Sequence, residues 1–514
     1  MDAIDLTLFS SRISAICDEM GAVLQRSAFS PNIRDRLDYS CAIFDRDGAL
    51  SAQAAHIPVH LGSMAFAMQD IVSRMSWEEG DLVILNDPYL GGTHLPDITM
   101  ISPLLVGGER VGFVVNRAHH ADIGADTPGS MPVSTTLQQE GLVIAPDYLL
   151  RNGVVQQPLY DNILAVLRNP QLSKGDFEAQ ISANRVGLRR LQAWVGELGV
   201  AGYREGLLAL NDYAEQLAAE TLEAIPDGCY QFEDVMDDDG QQNFSLPLRV
   251  AIEVRRGEVK VDFSGTAAQT AGNINAPLSV AAAAVYYLFR ALMPPQTPAA
   301  AGSFRAISIN APQGTLLNAL YPAAVAAGNV ETSSRIVDVV MGALAQAIPE
   351  RMAAASQGTM NNLAMGGEVA GRDWDYYETI GGGMGAGSQQ PGLSAVQTHM
   401  TNTLNTPIEV LEMSAPLRVT KYGIRLASGG RGDHRGGDGI VRGFRFLAES
   451  TVTLLTERRR VAPWGAAGGE AGSVGVNELD GERLVAKCTV KVKPGEELTI
   501  STPGGGGFGK EVNP

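Results

Sequence analysis

The chain has 514 residues, of which 45% are hydrophobic and 19% are charged, so it is long enough for several subdomains and too apolar to be disordered. Its formal net charge of -18 argues against nucleic acid or an anionic membrane as a partner, since both require a basic face. The four cysteines lie far apart, without CxxC spacing, which indicates reduced thiols in a cytoplasmic protein.

No segment has the pattern of a membrane span or a signal peptide. The longest apolar run, APLSVAAAAVYYLF from Ala276, has about 14 residues before Arg290, whereas a span needs about 20. The amino-terminal stretch is amphipathic and acidic at its start, unlike the basic start of a signal peptide. We therefore expect a soluble protein in which the apolar run is a buried helix.

The first half of the chain alternates between helical and strand patterns. Residues 4–29 have helical periodicity, and YSCAIFDRDGALSAQ predicts a hairpin around Asp47-Gly48. Strands are predicted over DLVILNDP, ITMISPLLV and RVGFVVNRAHH. Long, proline-free helical patterns then run from about 173 to 224.

The second half repeats this mixture. LPLRVAIEVRRGEVKVDFSGT predicts strands with a hairpin at Arg256-Gly257, VAAAAVYYLFRALM and SRIVDVVMGALAQAI predict helices, and the last 90 or so residues alternate as strand and turn. Three glycine clusters, which begin at Gly381, Ser428 and Pro503, predict tight turns or close approach of backbones.

This order lacks the regular βαβ alternation of a Rossmann or TIM fold. We predict a mixed α/β (α+β) fold with several subdomains, in which antiparallel hairpins and sheets pack with long helices. The predicted divisions are an amino-terminal region that holds a histidine cluster (1–170), a helical segment (171–225), a central α/β region (226–415) and a carboxy-terminal region rich in strands and glycine (416–514).

The histidine cluster lies between Asn86 and Gly129, where three of the chain's seven histidines fall in 44 residues. The stretch contains His94, Asp97, His119, His120 and Asp122. ITMISPLLV and RVGFVVNRA flank a glycine-rich turn there, which predicts an antiparallel hairpin. Cross-strand partners on one face have Cβ atoms about 5 Å apart, close enough to bind one ion together.

The register of this hairpin has three alternatives. A three-residue turn centred on Gly108 pairs Asp97 with His119, whereas a two-residue turn at Gly107-Gly108 pairs it with Ala118. A two-residue turn at 108–109 pairs Asp97 with His120. Hairpin geometry alone therefore leaves the two histidines in competition.

Two imidazoles and a carboxylate suit a divalent transition ion such as Zn, Mn or Fe. With open positions, such an ion lowers the pKa of bound water or polarises an oxygen of the substrate. Histidines in loops also cap turns or satisfy buried carbonyls, and there is no HExxH motif, so spacing alone does not decide between these roles.

Motifs along nearly the whole chain resemble one protein family. The main ones are NDPYLGGTHLPDITMISP and RAHHADIGADTPGSMP, and others include DFSGT, AAGNVETSSRIVDVVMGALAQA, GTMNNLAMGG, YYETIGGGMGA, THMTNTLNTPIEVLE and TPGGGGFG. In these segments the chain resembles the hydantoinase B/5-oxoprolinase family, to which subunits of acetone and acetophenone carboxylases are related.

The resemblance implies a metal bound by His94, Asp97 and His119, with Asp38 of the RLD motif as a further ligand. It also implies ATP-dependent opening of cyclic amides, in which ATP phosphorylates the carbonyl oxygen. ATP would be bound by a separate hydantoinase A-type subunit in a hetero-oligomer, so we expect this chain to be inactive alone. Its own near-match to a phosphate-binding loop, 504–510, lacks the required Ser/Thr because Glu511 stands there.

Four residues are weaker candidates for catalysis. His120 and Asp122 either orient His119 or are solvated loop residues. Glu140 in the QEG motif is either a general base or an ion-pair partner. His399 in THMTN either contacts substrate or is a buried structural residue.

Other polar groups are expected to be structural. Asp237–Asp239 is expected to form an exposed turn, and Cys41 belongs to the core. His56 and His60 would share a face only in a helix, against which Pro58 argues, so both are left out of the metal site.

Three functions fit these residues. The first is the B subunit of an ATP-dependent hydrolase of hydantoin, 5-oxoproline or lactam rings. The second is the metal-binding subunit of an acetone- or acetophenone-type carboxylase, although the acetone carboxylase relative is markedly longer. The third is a non-catalytic scaffold for an ATPase partner, against which an intact metal triad argues.

Overall fold

The computed structural model describes residues 1–55 and 57–511. The α-helices in these ranges are α1 (Ala3–Ser27), α2 (Pro31–Arg34), α3 (Pro58–Arg74), α4 (Gln157–Ala165), α5 (Pro170–Glu223), α6 (Leu278–Leu292), α7 (Ser333–Leu344) and α8 (Ile408–Ser414). The strands are β1 (Tyr39–Asp45), β2 (Leu50–Ala55), β3 (Leu82–Leu85), β4 (Asp97–Val106), β5 (Glu109–His119), β6 (Asp147–Arg151), β7 (Val154–Val155), β8 (Gly228–Asp238), β9 (Phe244–Arg255), β10 (Glu258–Asp262), β11 (Ile307–Asn310), β12 (Asn362–Val369), β13 (Arg372–Glu378), β14 (Leu417–Arg425), β15 (Gly439–Phe446), β16 (Ser450–Leu455), β17 (Val476–Leu479), β18 (Glu482–Arg483), β19 (Lys487–Val492) and β20 (Glu497–Ser501).

Across the described ranges these strands form four sheets. The first has the order β2-β1-β5-β4-β3-β6-β7, the second β11-β10-β9-β8, the third β13-β12-β16-β19 and the fourth β14-β15-β20-β17-β18. Neighbours are antiparallel except β10 and β11, which are parallel. The prediction of a mixed α/β fold built on antiparallel hairpins is confirmed, as are the predicted hairpins at 47–48 and 256–257.

The first sheet is covered by helices on both faces. On one face Met20 of α1 and Leu191 of α5 share a buried core with Ile43 and Val114. On the other face lies α3, whose Met68 belongs to a second core. Strands β4 and β5 lie in the middle of this sandwich, which is why ITMISPLLV is almost continuously apolar.

A larger core surrounds α6 and α7. Val59, Val250, Phe289, Met400 and Leu455 all belong to it, so it joins parts of the chain that the predicted divisions near 225 and 415 separate. Those divisions stay a prediction. Helix α6 is the predicted buried helix, with 15 residues, and among the described helices none is both long and apolar enough to cross a bilayer.

The three glycine clusters meet inside the carboxy-terminal part of the chain, where their backbones pack directly on one another. Gly437 N–H donates to the Met384 carbonyl at 2.8 Å, and Gly505 N–H donates to the Gly437 carbonyl at 2.9 Å. A Cβ on Gly505 would lie 2.1 Å from the Met384 carbonyl oxygen. Close backbone approach is therefore confirmed, and the near-match to a phosphate-binding loop is part of this buried packing.

The acidic run Asp237–Asp239 is not an exposed turn, and that prediction was wrong. All three side chains are buried, because the end of β8 turns inward against the segment after β16. The carboxylate of Asp237 accepts the backbone N–H groups of Arg459, Arg460 and Val461 at 2.6–3.1 Å.

We predict that Gly505→Ala destabilises the chain, because the new methyl group has no space against the Met384 carbonyl. Overpacking of this kind costs about 1–3 kcal/mol, measured as the free energy of unfolding in denaturant. The control is Gly196→Ala on α5, where a Cβ meets nothing within 4 Å and where alanine should stabilise the helix by up to about 1 kcal/mol. Equal stability of the two variants would contradict the packing described here.

Candidate metal centre

Asp97 lies directly opposite His119 across the β4–β5 hairpin. This is the register that the resemblance favoured, and it is confirmed. Neither Ala118 nor His120 faces Asp97, because a shift of one residue would turn every side chain of the strand to the other face of the sheet.

The turn of this hairpin is the two-residue alternative at Gly107-Gly108, although the register is the one expected from a three-residue turn. Both glycines have positive φ angles, 61° and 79°, as a type I′ turn requires. The register then shifts between Leu104 and Leu105. This bulge adds one residue to β5, and it restores the pairing that a three-residue turn would have given.

His94 is carried by the turn that leads into β4, and the side chain of Asn86 holds this turn in place. The Asn86 amide donates to the carbonyls of Leu95 and Leu142 at 2.8 and 2.9 Å. Its oxygen accepts the N–H of Ile144 at 2.6 Å. This buried amide fixes where His94 stands relative to the strand, because all three of its bonds are to backbone.

His94, Asp97 and His119, the triad below, come together in the interior. One potential ligand atom from each lies within 4.8 Å of the other two, and the three residues are 0%, 1% and 3% exposed. His94 Nε2 lies 3.2 Å from Asp97 Oδ1. This is the distance range in which one ion can bind all three.

Whether a cation fits the triad can be judged from two of its nitrogen atoms. His94 Nε2 and His119 Nε2 are buried and have no hydrogen-bond partner within the described residues. The other nitrogen of each ring is held, since His94 Nδ1 lies 3.3 Å from the Ala326 carbonyl and His119 Nδ1 lies 3.1 Å from Asn32 Nδ2. With Asn32 Nδ2 as the donor, neutral His119 carries its hydrogen on Nε2, so a metal on His119 Nε2 requires that Asn32 turn its oxygen to Nδ1 instead. Because a carbonyl only accepts, His94 carries hydrogen on Nδ1 in that bond, which leaves Nε2 free to bind a metal.

The second oxygen of Asp97 has different partners. Thr93 Oγ1 donates to Asp97 Oδ2 at 2.6 Å, and Asn329 Nδ2 lies 3.4 Å from the same atom. His60 Nε2 is 3.5 Å away. Three polar groups therefore hold Oδ2, and Oδ1 is the oxygen that remains for a cation.

Sequence reasoning left out His60, and the structure places it in the wall of the site. Pro58 argued against a helix, but it is the first residue of α3, a position where proline is favoured because its missing N–H has no role there. His60 is 1% exposed and its Nδ1 lies 3.1 Å from Ser40 Oγ. His56 lies outside the described residues.

Asp38, the further ligand implied by the resemblance, faces the same cavity but stands apart from the triad. It is 6% exposed and does not belong to the group of atoms within 4.8 Å. Arg36 Nη2 lies 3.9 Å from Asp38 Oδ2. Burial raises the pKa of Asp38, an effect that the Arg36 charge reduces. Its role as a ligand stays a prediction.

The electrostatics of Asp97 and His119 favour the charge states that bind metal. Burial raises the pKa of Asp97, but the nearby His94 and His60 outweigh it, so that its pKa lies well below the usual range. Burial and the charge of His94 hold the pKa of His119 well below its ordinary value. At neutral pH this gives a carboxylate and a neutral imidazole, as metal binding requires. Burial lowers the pKa of His94, but the Asp97 charge outweighs it and raises that pKa above its ordinary value, so His94 must give up a proton when a metal binds.

A small cavity of about 20 Å³ adjoins the triad, which is room for about one water-sized atom. An organic ring does not fit in this conformation. The cavity is lined by residues from eight separate parts of the chain: Asp38, Ile57, Val59, His60, His94, Asp97, His119, Asn329, Val330, Met360, Tyr377, Thr379, Thr401 and Thr403.

Tyr377 fixes the plane of one imidazole. Its ring stacks on His119 with centroids 4.7 Å apart and an interplanar angle of 6°, and the Arg36 guanidinium lies 4.9 Å from its centroid. The Tyr377 hydroxyl donates to Asn362 Oδ1 at 2.6 Å, and Asn362 Nδ2 donates to Glu331 Oε1 at 2.6 Å. The stack is therefore anchored by a fully buried polar chain.

The predicted catalytic residues His120 and Asp122 face away from the cavity. His120 Nε2 lies 2.9 Å from Gln180 Oε1 of α5, and its ring packs on Phe177. Asp122 accepts the N–H groups of Gly124 and Arg168. Neither side chain contacts the triad, because the strand places successive side chains on opposite faces, and neither contact supports a catalytic role.

Glu140, the predicted general base, is also outside the cavity. Its carboxylate accepts Ser134 Oγ at 2.7 Å and the N–H groups of Val325 and Ala326 at 2.9–3.1 Å. Burial raises its pKa to about 7. Glu140 contacts the site only indirectly: it binds the N–H of Ala326, and the carbonyl of Ala326 holds His94. These contacts favour a structural role for Glu140 over that of a general base.

The THMTN motif does reach the site, but not through the residue that sequence reasoning chose. His399 packs edge-on to Tyr287 with centroids 6.0 Å apart and does not line the cavity. Thr401 and Thr403 line it instead. An alternating pattern of threonines in this motif was the signal that could have found them.

The family of the chain follows from its match over residues 2–511 to the family described as hydantoinase B/oxoprolinase. The chain belongs to this family. It is 38% identical to 5-oxoprolinase 1 of Arabidopsis thaliana, over 99% of this chain and 42% of that protein. It therefore spans about two fifths of the length of that relative. A protein of Pseudomonas sp. that is named as the B subunit of a D-/L-hydantoinase is 30% identical over 100% of this chain and 90% of its own length.

Two solved structures share this fold. The ATP-dependent caprolactamase of Pseudomonas jessenii superposes with a TM-score of 0.93 at 28% identity, over 99% of this chain and 91% of that one. An acetone carboxylase in its nucleotide-free form gives a TM-score of 0.89 at 18% identity, over 99% of this chain and 76% of that one. The second likeness shows the fold alone.

We predict that the wild-type chain binds one divalent ion and that His94→Ala loses it. Removal of one imidazole leaves too few ligands, so affinity for Zn²⁺ or Mn²⁺ should fall by more than about 100-fold. Metal content by mass spectrometry and competition with a chelator measure this. The control is His434→Ala, a half-buried histidine outside the cavity, and equal metal content in the two variants would refute the site.

A second prediction concerns Glu331, whose pKa burial raises to about 7. Because the folded pKa exceeds the unfolded one of about 4.5, its contribution to stability is complete below about pH 4.5 and is lost as pH rises through about 7. Metal-free Glu331→Gln should therefore gain stability over wild type between these values, by roughly 3 kcal/mol at most. The control is Glu409→Gln, which is exposed on α8, and parallel pH curves for Glu331→Gln and wild type would contradict this burial effect.

Proposed function

We propose that this chain is the metal-carrying B subunit of an ATP-dependent hydrolase of cyclic amides. The observation that carries the proposal is the buried triad with two imidazole nitrogens that lack partners among the described residues. A divalent ion, Zn, Mn or Fe, satisfies both nitrogens and the Asp97 oxygen at once. The names of the relatives support the substrate class, since caprolactam and 5-oxoproline are both cyclic amides.

The chemistry of an amide explains why such an enzyme needs two sites. An amide carbon is a poor electrophile and its nitrogen is a poor leaving group, so phosphorylation of the carbonyl oxygen activates it. A divalent ion in the triad would supply Lewis acidity and a nucleophile at neutral pH. In this division the nucleophile at the triad of this chain attacks the activated carbonyl carbon of the substrate.

The residues of the chain then have distinct tasks. His94, Asp97 and His119 would hold the ion, and Asp38 is proposed as a further ligand. Tyr377 keeps the His119 ring in its plane by stacking on it. The buried walls exclude bulk water, which strengthens every electrostatic interaction inside the cavity.

The activating step belongs to a partner in this proposal. The glycine-rich segment 504–507 is buried against other backbones, so it offers no surface to a nucleotide. We propose an ATP-binding A-type subunit and a hetero-oligomer, consistent with the name of the Pseudomonas relative. The four cysteines are free, which supports a cytoplasmic location.

A carboxylase is the alternative, and the shared fold of acetone carboxylase favours it as the second candidate. In that case the same metal site would serve carbon–carbon bond formation with a carboxyl donor derived from bicarbonate. A scaffold without catalytic function is the third candidate. It requires that the metal site be dispensable.

The test is turnover by the chain co-expressed with an A-type subunit, assayed on 5-oxoproline, hydantoin and caprolactam with and without bicarbonate. We expect ring opening that requires ATP and not bicarbonate, and that falls at least about 1,000-fold in the His94→Ala complex, because the nucleophile is lost. The His434→Ala complex is the control. Bicarbonate-dependent carboxylation would establish the alternative, and full activity of the His94→Ala complex would overturn the proposal.

A further inference from the structure

Three threonine hydroxyls line the wall of the cavity: Thr379, Thr401 and Thr403. They are only 3–5% exposed. Thr379 follows β13, while the other two belong to the irregular segment before α8. Buried threonine hydroxyls need hydrogen-bond partners, and here two of the contacts are between the threonines themselves.

The direction of the hydrogen bonds in this group is fixed by an arginine. Arg36 Nη2 lies 3.2 Å from Thr379 Oγ1, and Gln397 Nε2 lies 3.4 Å from the same oxygen. Both nitrogens only donate, so Thr379 Oγ1 accepts from Arg36, while the Gln397 contact is long and is shared with the Thr379 carbonyl at 3.3 Å. With Arg36 donating to it, Thr379 has its own hydrogen to give, and Thr403 Oγ1 at 2.6 Å is the neighbouring acceptor.

Thr403 therefore accepts on one side and has its own hydrogen to donate. The neighbouring acceptor is Thr401 Oγ1 at 3.4 Å, a distance at which a hydroxyl bond is weak. Both hydroxyls are thus left with hydrogens that are poorly used within the protein. The cavity beside the triad is the space that they line.

The segment that carries these hydroxyls is tied to the elements of the metal site. Leu404 N–H donates to the Arg36 carbonyl at 3.1 Å, and the Met400 carbonyl accepts Val59 N–H at 3.3 Å. The Asn405 amide donates to the Thr379 carbonyl at 3.0 Å. Donors held in this way are oriented before a ligand arrives, which is what makes such donors effective towards developing negative charge.

We propose that Thr401 and Thr403 form a donor site for an oxygen atom of the substrate, namely the carbonyl or phosphoryl oxygen of the activated amide. This inference rests on the proposed function. The volume of the cavity suits a single oxygen beside a metal ion. The guanidinium of Arg36 at the far end of the chain of hydroxyls polarises it towards that oxygen.

The test compares Thr403→Val, which has the same shape but no hydroxyl, with Thr403→Ser, which restores it. A matched control is Thr453→Val, because Thr453 is also buried and pairs with Thr489 at 3.0 Å between β16 and β19. In the complex with the A-type subunit, Thr403→Val should lower kcat by about 100-fold or more, as loss of one such donor does. Thr403→Ser and Thr453→Val should stay within several-fold of wild type, with unchanged metal content.

A second readout does not depend on activity. Inorganic phosphate is titrated into the Zn²⁺-loaded chain, and its affinity should fall about 10-fold or more in Thr403→Val if the site binds phosphoryl oxygens. A loss of kcat with unchanged phosphate affinity assigns the donors to the carbonyl oxygen instead. If the wild-type complex shows no turnover, the proposed function fails, and the phosphate affinities of wild type and Thr403→Val alone decide whether the threonines form a donor site. The inference is overturned if Thr403→Val behaves like the control Thr453→Val both in kcat and in phosphate affinity. If Thr403→Val does not fold, Thr401→Val is measured in its place.

Discussion

Two imidazole nitrogens and one carboxylate oxygen lie buried against each other with no other partner for the nitrogens among the described residues. Burial of unpaired polar atoms costs free energy, so the surrounding structure must hold them there for a reason. A divalent cation satisfies all three atoms together. The features around the site follow from this constraint: Asn86 fixes the turn of His94, Tyr377 fixes the ring of His119, and Thr93 binds the other oxygen of Asp97.

The site unites parts of the chain that are far apart in sequence. The β4–β5 hairpin supplies two members of the triad, α3 supplies His60, and the turn at 328–332 and the segment around 401–403 close the cavity. The glycine-rich packing contributes to this closure, since Gly382 forms two backbone bonds with Val396, just before the threonine segment. The glycine-rich packing contributes no metal ligand, but it positions the threonine segment that forms one wall of the cavity.

Sequence patterns predicted much of this arrangement, because local rules govern it. Hydrophobic periodicity located the long helices, and the glycine turn located the hairpin. The two-residue turn alone would have paired Asp97 with Ala118, and only the bulge near Leu104 corrects this, a detail that depends on packing against neighbouring strands. His60 was missed because proline was taken for a helix breaker, and the threonine wall was missed because attention in the THMTN motif went to His399 and not to the alternating threonines. Glu140 was assigned to chemistry because its burial against backbone amides cannot be seen in a sequence.

The most direct test of the central claim is anomalous diffraction from crystals of metal-replete protein, collected on both sides of the absorption edge of the bound metal. We expect one strong peak within about 2.3 Å of Nε2 of His94 and Nε2 of His119, with Asp97 Oδ1 as a further ligand. A peak elsewhere, or full occupancy of this position by water in crystals that contain metal, would contradict it.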